Sequence, residues 1–369
     1  MPGARVIVYE AGPKPLAKVA ITGGGRCNFT NSFEGISRLS EAYPRGEQLM
    51  KRALHAFSNR DVMDWFGREG VKYVIQDDFC VFPASQDAMQ IVRTLERLMR
   101  TLGVELRCGS RISDVRPLLE SGKKVVVTIG GSSRRALEQL LPEGIAIEKP
   151  VPSLFTFKLT DASLKALSGI VVENASLSLA GTGFRSRGAL LLTDWGVSGP
   201  ATLKLSSYAA RHLAENGYKG SLVINWLSGG EQDVRQILRD LASANPAKLA
   251  GGAHPEELSS RLWKHLLRRA GLREEMRWSE VGNKGFNRLV GVLTADSYEI
   301  SGRARFKEEF VTCGGVGLSE IDLKTLECKK IPGLYFAGEV LDVDAVTGGF
   351  NLQAAWSTAR AVALAITSA

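Results

Sequence analysis

A short apolar strand that ends in an acid and is followed by a glycine cluster most constrains the fold of this chain. Residues 5–10 read RVIVYE, and residues 22–28 read TGGGRCN. In dinucleotide-binding domains an acid at the end of the second strand holds the adenosine ribose, which predicts that role for Glu10. No G-x-G-x-x-G loop precedes the strand. The pattern therefore predicts a nucleotide site that lacks its usual phosphate-binding loop.

The length and composition indicate a multidomain folded protein. With 369 residues and 44% hydrophobic content, we expect two or three domains. Five cysteines without a C-x-x-C pair argue against a disulfide framework and against a cysteine zinc site, and we predict no metal. No apolar run reaches the ~18 residues that span a bilayer, and no secretory apolar region is present. We expect a soluble protein of a reducing compartment, the cytoplasm first, with an organelle such as a plastid left open.

The net charge of +8 allows two interpretations. A basic field attracts polyanions such as nucleic acid or a membrane surface. Lysine and arginine are, however, spread along the chain in short groups, for example residues 264–269 (KHLLRR). A basic surface with a site for an anionic cofactor is the favoured interpretation, and a nucleic-acid partner is disfavoured.

Periodicity divides the chain into an α/β part, a β-rich part and a helical part. Residues 49–70 and 85–102 have helical spacing, with Ser85 as the expected cap of the second segment, and strands alternate with them up to residue 128. Prolines at 150 and 152 mark a break, and short strands follow at 155–159, 169–172, 176–179, 189–192 and 221–226. We predict an α/β fold: a discontinuous Rossmann-like domain with an inserted β-rich, barrel-like domain and a small helical insert. The predicted boundaries are 1–150, 151–230, 231–293, 294–308 and 309–369.

The glycine cluster is the first candidate for ligand contact. Three successive glycines let backbone N–H groups converge on an anion, because glycine reaches left-handed conformations at little cost. Arg26 adds a charged donor for phosphate, and Asn28 can bond backbone or ligand. Cys27 has no second cysteine nearby in sequence, so a packed thiol is favoured over a redox role. The predicted contacts here are Thr22, Gly23, Gly24, Gly25, Arg26, Cys27 and Asn28.

The second candidate lies three hundred residues later, in residues 333–353 (GLYFAGEVLDVDAVTGGFNLQ). An apolar strand runs into Gly338-Glu339, and Gly348-Gly349 precedes a helix start. A Gly-Gly turn before a helix directs free N–H groups and the positive end of the helix dipole at a ligand. In flavoproteins this arrangement commonly stabilises the pyrimidine side of a reduced isoalloxazine, while the acid of the Gly-Glu pair binds the ribityl chain.

On these residues the chain resembles the BaiN-like family of NAD(P)/FAD-dependent oxidoreductases, which includes an aminoacetone-oxidase-like member. The matching stretches are 21–31 (ITGGGRCNFTN), 81–85 (VFPAS), 151–155 (VPSLF), 192–200 (LTDWGVSGP), 306–316 (FKEEFVTCGGV) and 333–356. The resemblance implies a discontinuous FAD domain, a β-rich middle domain and a helical insert. The resemblance and the glycine positions predict further residues around FAD, in addition to Glu10 and residues 22–28. These are Gly130, Gly338, Glu339, Asp344, Gly349, Asn351 and Leu352.

The chain departs from the family pattern in several places. The opening strand, glycine-rich loop and first helix are absent, so we expect either that they are encoded upstream of Met1 or that this chain binds FAD weakly. The segment after Gly130-Gly131 is short. Asp194 stands where many members have His, and Ala345 replaces a frequent Gly. A carboxylate cannot replace an imidazole as a near-neutral proton donor without a large pKa shift.

The sequence thus predicts an FAD-dependent oxidoreductase that acts on a small organic substrate by hydride or electron transfer. No second dinucleotide motif is visible, so NAD(P)H could only dock transiently as electron donor. The catalytic residues stay unknown. Asp194, Arg303 and Lys307 are candidates for the substrate pocket, although a packing or solvent role is favoured for each. The alternative is a truncated, non-catalytic paralogue that binds a nucleic-acid or protein partner. The oligomeric state is not predicted.

Overall fold

The computed structural model describes residues 4–304 and 311–368. The described chain forms two compact units. The first contains the chain up to Val151 and again from Val311, and the second begins at Pro152. Among the described residues, none of the helices combines the length and apolarity that crossing a bilayer requires.

Short strands and helices alternate along the chain. The strands are β1 (Ile7–Tyr9), β2 (Thr30–Asn31), β3 (Tyr73–Ile75), β4 (Cys80–Pro83), β5 (Glu105–Arg107), β6 (Val125–Val127), β7 (Ile147–Pro152), β8 (Phe157–Leu159), β9 (Val171–Leu179), β10 (Arg185–Thr193), β11 (Gly196–Ser198), β12 (Gly220–Asn225), β13 (Asp296–Arg303), β14 (Thr312–Val316) and β15 (Leu334–Phe336). The α-helices are α1 (Ala17–Ile21), α2 (Leu39–Ala42), α3 (Glu47–Ala56), α4 (Asn59–Arg68), α5 (Ala88–Thr101), α6 (Arg116–Glu120), α7 (Arg134–Leu140), α8 (Ala162–Lys165), α9 (Pro200–Tyr208), α10 (Ala210–Glu215), α11 (Glu231–Ala244), α12 (Ser260–Arg269), α13 (Gly282–Ala295) and α14 (Phe350–Ser368).

The first unit is built on parallel strand pairs. Strand β1 pairs in parallel with β5, and β6 pairs in parallel with β15, which begins some 200 residues later. Strands β14 and β7 form a separate two-stranded sheet, and β2, β4 and β3 form an antiparallel sheet. Parallel pairing requires crossover connections, and helices cover most parallel sheets. Val6 and Val8 at β1, and Val126 and Ile129 at β6, nevertheless remain 37–49% exposed.

Helix boundaries in the first unit follow capping residues. The region 49–70, predicted as one helical stretch, contains two helices, because Ser58 forms a capping box with Asp61 and starts α4. The expected cap Ser85 is wrong for α5: Asp87 accepts the N–H of Met89 and starts that helix. Its buried face joins α4 and the segment after the glycine loop in a core that contains Phe29, Phe66 and Ile91.

The second unit is a closed barrel of six strands in the order β10-β11-β8-β13-β12-β9, all antiparallel. In β9 the side chains of Val172, Ala175, Leu177 and Leu179 are buried. The sequence predicted two strands here, at 169–172 and 176–179, whereas the structure has one. The pairing of β10 with β9 shifts between Gly188 and Leu190, where β9 has one residue more than β10. This extra residue forms a β-bulge, so β9 continues as one strand although the alternation of its buried residues is interrupted.

The predicted helical insert consists of α11, α12 and α13, between β12 and β13 of the barrel. These helices share one hydrophobic core with the barrel strands. A buried polar network joins them: Asp296 at the start of β13 accepts hydrogen bonds from Trp226, Tyr298 and Arg269, at 3.1, 2.6 and 2.7 Å. His265 of α12 lies 3.2 Å from the Tyr298 hydroxyl. The chain therefore returns to the barrel after the helices, as the alternation beyond residue 294 indicates.

Candidate nucleotide-cofactor site

The two glycine-containing segments predicted to form one site meet in the structure. In the amide orientation that satisfies both ends of Asn28, its oxygen accepts the N–H of Gly349 at 3.1 Å and its nitrogen donates to the Thr30 carbonyl at 2.7 Å. The Asn31 amide donates to the Gly348 carbonyl at 2.9 Å. A Cβ at Gly349 would lie 2.3 Å from the Thr30 oxygen, and Gly349 has φ +87°. The contact therefore requires glycine.

Buried polar contacts hold helix α14 against the same segment. The Thr30 hydroxyl donates to the Gln353 side chain at 2.5 Å, and the Trp356 indole donates to the Phe29 carbonyl at 2.9 Å. The Tyr43 hydroxyl donates to the Phe350 carbonyl at 2.9 Å. Thr30, Gln353 and Tyr43 are fully or almost fully buried. The start of α14 is thus fixed relative to the glycine loop.

The glycine loop leaves room for a ligand. Gly23, Gly24 and Gly25 have φ values of +59°, +68° and +82°, and a Cβ at Gly24 or Gly25 would meet no atom within 4 Å. At Gly23 a Cβ would lie 3.0 Å from the Asn28 nitrogen. Thr22 caps α1, and its carbonyl accepts the N–H of Cys27 at 3.0 Å. Successive left-handed residues that face open space have the form of an anion-binding turn.

Arg26 and Cys27 play different parts in this loop. The Arg26 guanidinium lies 4.4 Å from the centre of the Phe82 ring, and its Nε donates to the Gly23 carbonyl at 3.3 Å. Cys27 is fully buried, and burial raises the pKa of its thiol to about 12. A protonated thiol is a poor nucleophile, so the structure favours the packing role for Cys27.

A second cluster surrounds the acid of the Gly-Glu pair. The Glu339 carboxylate accepts the N–H of Thr312 at 2.8 Å and lies 3.7 Å from the Lys18 ammonium of α1. At Gly130 a Cβ would lie 3.6 Å from Glu339 and 3.5 Å from Lys18. At Gly131 it would lie 2.2 Å from the Thr312 hydroxyl. The predicted residues Gly130 and Glu339 therefore lie together, and the glycines permit the close approach.

Asp344 and Asn351 hold the loop between β15 and α14. Both Asp344 carboxylate oxygens accept from Arg45 at 2.5 Å, and the Asp344 side chain is fully buried. Asn351 bonds Ala345 twice: its oxygen accepts the Ala345 N–H at 2.9 Å, and its amide donates to the Ala345 carbonyl at 3.0 Å. Both predicted contacts thus have backbone or ion-pair partners of their own, which indicates that they position the loop.

The other three predicted residues, Glu10, Gly338 and Leu352, each contact their own part of the first unit. Glu10 follows β1, is half-buried, and accepts the N–H of Gly12 at 2.5 Å. Gly338 has φ +76° and donates its N–H to the Thr358 hydroxyl at 2.9 Å. Leu352 is half-buried and packs against the core of the first unit.

Two of the pocket candidates belong to the barrel unit, and the third lies outside the described residues. Asp194 is exposed in the turn between β10 and β11. The Arg303 guanidinium at the end of β13 lies 5.2 Å from the centre of the Tyr218 ring. Lys307 falls outside the described ranges. Within 4–304 and 311–368, no group of three or more His, Cys, Asp or Glu side chains could hold a metal ion.

Sequence reasoning missed several residues of this region. Lys18, Arg45 and Thr312 contact predicted residues, and Thr30 and Gln353 form the buried bond between the two segments. Thr30, Thr312 and Gln353 lie inside the stretches that carried the family resemblance, which was a usable signal. Lys18 and Arg45 have no local pattern, because their partners lie some 300 residues away.

The arrangement fits a flavin dinucleotide by its cradle and donor chemistry. Open left-handed glycines provide backbone donors, a strand-terminal acid can hold ribose hydroxyls, and a glycine turn precedes the 19-residue helix α14. Together with the parallel strand pairs, these features define a nucleotide-binding protein of the Rossmann class. The chain matches the family described as HI0933-like protein Rossmann domain over residues 1–365, and it belongs to that family.

Curated relatives cover nearly the whole chain. It is 30% identical to the ribosomal RNA dihydrouridine synthase of Escherichia coli strain K12, over 98% of this chain and 92% of that protein. It is 28% identical to the protein of the same name from Haemophilus influenzae, over 99% of this chain and 93% of that protein. It is 23% identical to the 3-dehydro-bile acid delta(4,6)-reductase of Clostridium scindens, over 96% of this chain and 91% of that protein. Family and relatives confirm an FAD-binding protein of the oxidoreductase class in general terms.

Proposed function

We propose that the first unit binds FAD between the glycine loop and the start of α14. The observation that carries this proposal is the direct contact of residues 28–31 with 348–353, through Asn28–Gly349, Asn31–Gly348 and Thr30–Gln353. Glu10 would hold the adenosine ribose, the 23–26 loop would face phosphate, and Glu339 would face the ribityl chain. The N-terminus of α14 would stabilise negative charge on the reduced ring.

We propose that the reaction is the reduction of a carbon–carbon double bond conjugated to a carbonyl group. The names of the relatives share this chemistry: dihydrouridine is uridine reduced at the double bond next to a ring carbonyl, and a 3-dehydro-bile acid delta(4,6)-reductase acts on double bonds conjugated to an oxo group. When bound and reduced, FAD would supply a hydride for one alkene carbon, and a proton from the site or from solvent would be added to the other. NAD(P)H docking transiently would restore the two electrons.

Of two substrates, a uracil ring in RNA is the one we favour. The two relatives named for ribosomal RNA have 30% and 28% identity, against 23% for the bile acid reductase. The net charge of the protein is +8, and a positive charge attracts a polyanionic substrate such as RNA. This proposal replaces the preference for a small organic substrate. A small conjugated ketone is the second candidate, on the basis of the third relative.

The proposal is tested by loading the purified chain with FAD, reducing it with NADPH or dithionite, and adding each substrate in turn. Uridine-containing RNA should gain two hydrogens at uracil, measured by mass spectrometry of the nucleosides, and a steroid 4-en-3-one should react more slowly. If flavin-loaded protein reduces neither substrate, the proposed reaction is wrong.

The cofactor part of the proposal has its own variant. Glu339→Gln removes the charge beside Thr312 and Lys18 and should weaken FAD binding about tenfold, since hydrogen bonds to a charged group contribute about 1.5–3 kcal/mol. Glu138→Gln removes an exposed carboxylate of α7, 2.8 Å from Arg134, and should leave FAD binding unchanged. Equal FAD affinity in both variants would remove Glu339 from the site.

A further inference from the structure

A cleft of about 640 Å3 opens in the first unit, and none of the residues that line it is among those assigned to FAD. It lies between helix α3 and the turn at 322–326. Lys51, Arg52 and His55 line it from α3, and Lys324 lines it from the turn. All four side chains are exposed. We call this feature the α3 cleft.

The floor of the α3 cleft is apolar. Leu49 and Ala53 from the inner face of α3, Leu326 from the turn and Ala361 from α14 are buried there. The site thus combines a basic rim with a hydrophobic base, a combination that suits a ligand with anionic groups on an apolar or aromatic body.

The cations of the cleft are not neutralised by the protein. Among the described residues, no carboxylate lies within ion-pair distance of Lys51, Arg52 or Lys324. Asp322, two residues before Lys324, accepts the N–H groups of Lys324 and Thr325 at 2.7 and 3.0 Å. Those backbone hydrogen bonds are the main reason why the pKa of Asp322 is lowered. The acid nearest in sequence is therefore turned toward its own backbone.

Helix α3 is held firmly, which fixes the basic rim. It begins after Gly46, where φ is +77° and a Cβ would lie 2.7 Å from Val343. Arg45, one residue earlier, forms the buried ion pair with Asp344. The helix that carries the rim is therefore anchored on the loop that precedes α14.

We propose that the α3 cleft binds the phosphodiester backbone of single-stranded RNA. Gln48, Arg52 and His55, with Lys51 beside them, share one face of α3 over about 10 Å, because the helix rises about 1.5 Å per residue. Lysine, arginine and amide side chains are the usual donors to phosphate. The described residues that line the cleft include no Phe, Tyr or Trp, and its lysine, arginine and glutamine side chains are phosphate donors that position the strand without reading bases. The inference rests on the proposed RNA substrate.

The test measures binding of a fluorescently labelled, uridine-rich single-stranded RNA to the FAD-loaded protein over a range of salt concentrations. The variant Lys51→Ala/Arg52→Ala should bind about tenfold more weakly. Its salt dependence should fall by about 1.4 in slope, since each lost phosphate contact on a single strand removes about 0.7. The control Arg60→Ala/Arg68→Ala removes the same charge from exposed positions of α4 and should change affinity by less than about twofold.

A third variant tests the opposite wall. Lys324→Ala should weaken RNA binding on its own and further when combined with the α3 variant. Free uridine monophosphate should not displace the RNA, because one phosphate engages only part of the rim. Equal losses in the cleft and control variants would show a diffuse charge effect and overturn the inference. Displacement by uridine monophosphate at RNA-like affinity would show a small-anion site and overturn it as well.

Flavin measurements separate this inference from the proposed function. The cleft variants should keep full FAD content and should reduce a steroid 4-en-3-one, if the unmodified protein does, at the same rate. If the cleft variants bind RNA as the unmodified protein does, and also keep their FAD content and their RNA-reducing activity, the α3 cleft is not the RNA site and the proposed function stands. If the unmodified protein holds no flavin, the proposed function fails whatever the cleft binds.

Discussion

At Gly349 one backbone position joins two segments that are 300 residues apart in sequence. Its N–H donates to Asn28, and its missing side chain leaves room for the Thr30 carbonyl. Sequence alone predicted that the 22–28 and 338–353 segments form one site. It did not predict the bonds from Thr30 to Gln353 and from Asn31 to Gly348, because hydrogen-bond partners at such separation leave no local pattern.

The substitution Gly349→Ala tests this junction. A Cβ would lie 2.3 Å from the Thr30 oxygen and 2.6 Å from the end of the Asn28 side-chain amide, so the segments must separate. We expect a loss of roughly 2–4 kcal/mol in unfolding free energy and of most FAD binding. Gly122→Ala is the control: φ is +73°, but no atom lies within 4 Å of a Cβ, so only about 1 kcal/mol is expected. Urea denaturation measures the unfolding free energy of both variants. Equal losses would show that the close contact at Gly349 does not destabilise the Gly349→Ala variant.

The buried ion pair between Arg45 and Asp344 is a second residue-scale test. Arg45→Ala leaves a fully buried carboxylate without its charged partner and should cost about 3–5 kcal/mol. The double variant Arg45→Met/Asp344→Leu removes both charges and should recover most of that loss, since apolar replacements of buried pairs are often neutral. A double variant as unstable as Arg45→Ala in urea denaturation would show that the pair contributes more than charge compensation.

At the scale of elements, capping and alternation decided how well the sequence predicted the fold. The β-rich character of 155–226 followed from alternation, and the structure has six barrel strands. The single strand β9 was missed, because a bulge interrupts the alternation that defines a strand. The boundaries of α4 and α5 depend on which of several polar residues caps the helix, Ser58 and Asp87, and neighbouring Ser, Asp and Asn residues compete for that role.

The polar network between α12 and β13 predicts a pH dependence of stability. Burial, with the nearby Arg269 charge next, lowers the pKa of His265, while Asp296 and Asp161 oppose the shift and Arg268 adds to it. Below the unfolded value of about 6.5 the unfolded state binds a proton that the folded state does not, so stability should fall as pH drops from 6.5 toward 5. Above 6.5 this contribution should be constant.

Thermal unfolding between pH 8 and pH 5 measures this effect. His265→Gln should flatten the decrease below pH 6.5, whereas the control His254→Gln, whose ring bonds Ser260 and the Pro255 carbonyl, should keep it. Asp161 titrates in a lower range, because its pKa is lowered, and does not interfere. An unchanged decrease in His265→Gln would assign the pH dependence to other groups.

For the whole molecule, the sequence predicted the order of parts better than the substrate. A Rossmann-like domain, an inserted β-rich, barrel-like domain and a small helical insert were the parts that pattern and family resemblance predicted. The substrate could not follow from pattern, because the residues of a substrate pocket are set by contacts between distant segments. From the sequence, the net charge of +8 indicates a basic surface with a site for an anionic cofactor. The RNA substrate that we propose would give that charge a second role, which the α3 cleft variants test.

Flavin retention tests most directly whether residues 22–31 and 338–353 form one FAD site. The purified protein is incubated with excess FAD, freed of unbound flavin by gel filtration, and measured by its absorbance near the flavin bands. We predict bound flavin in the unmodified protein and in Gly122→Ala, and little or none in Gly349→Ala. A folded, unmodified protein that retains no flavin, or a Gly349→Ala variant that retains as much as the unmodified protein, would show that these two segments do not form an FAD site.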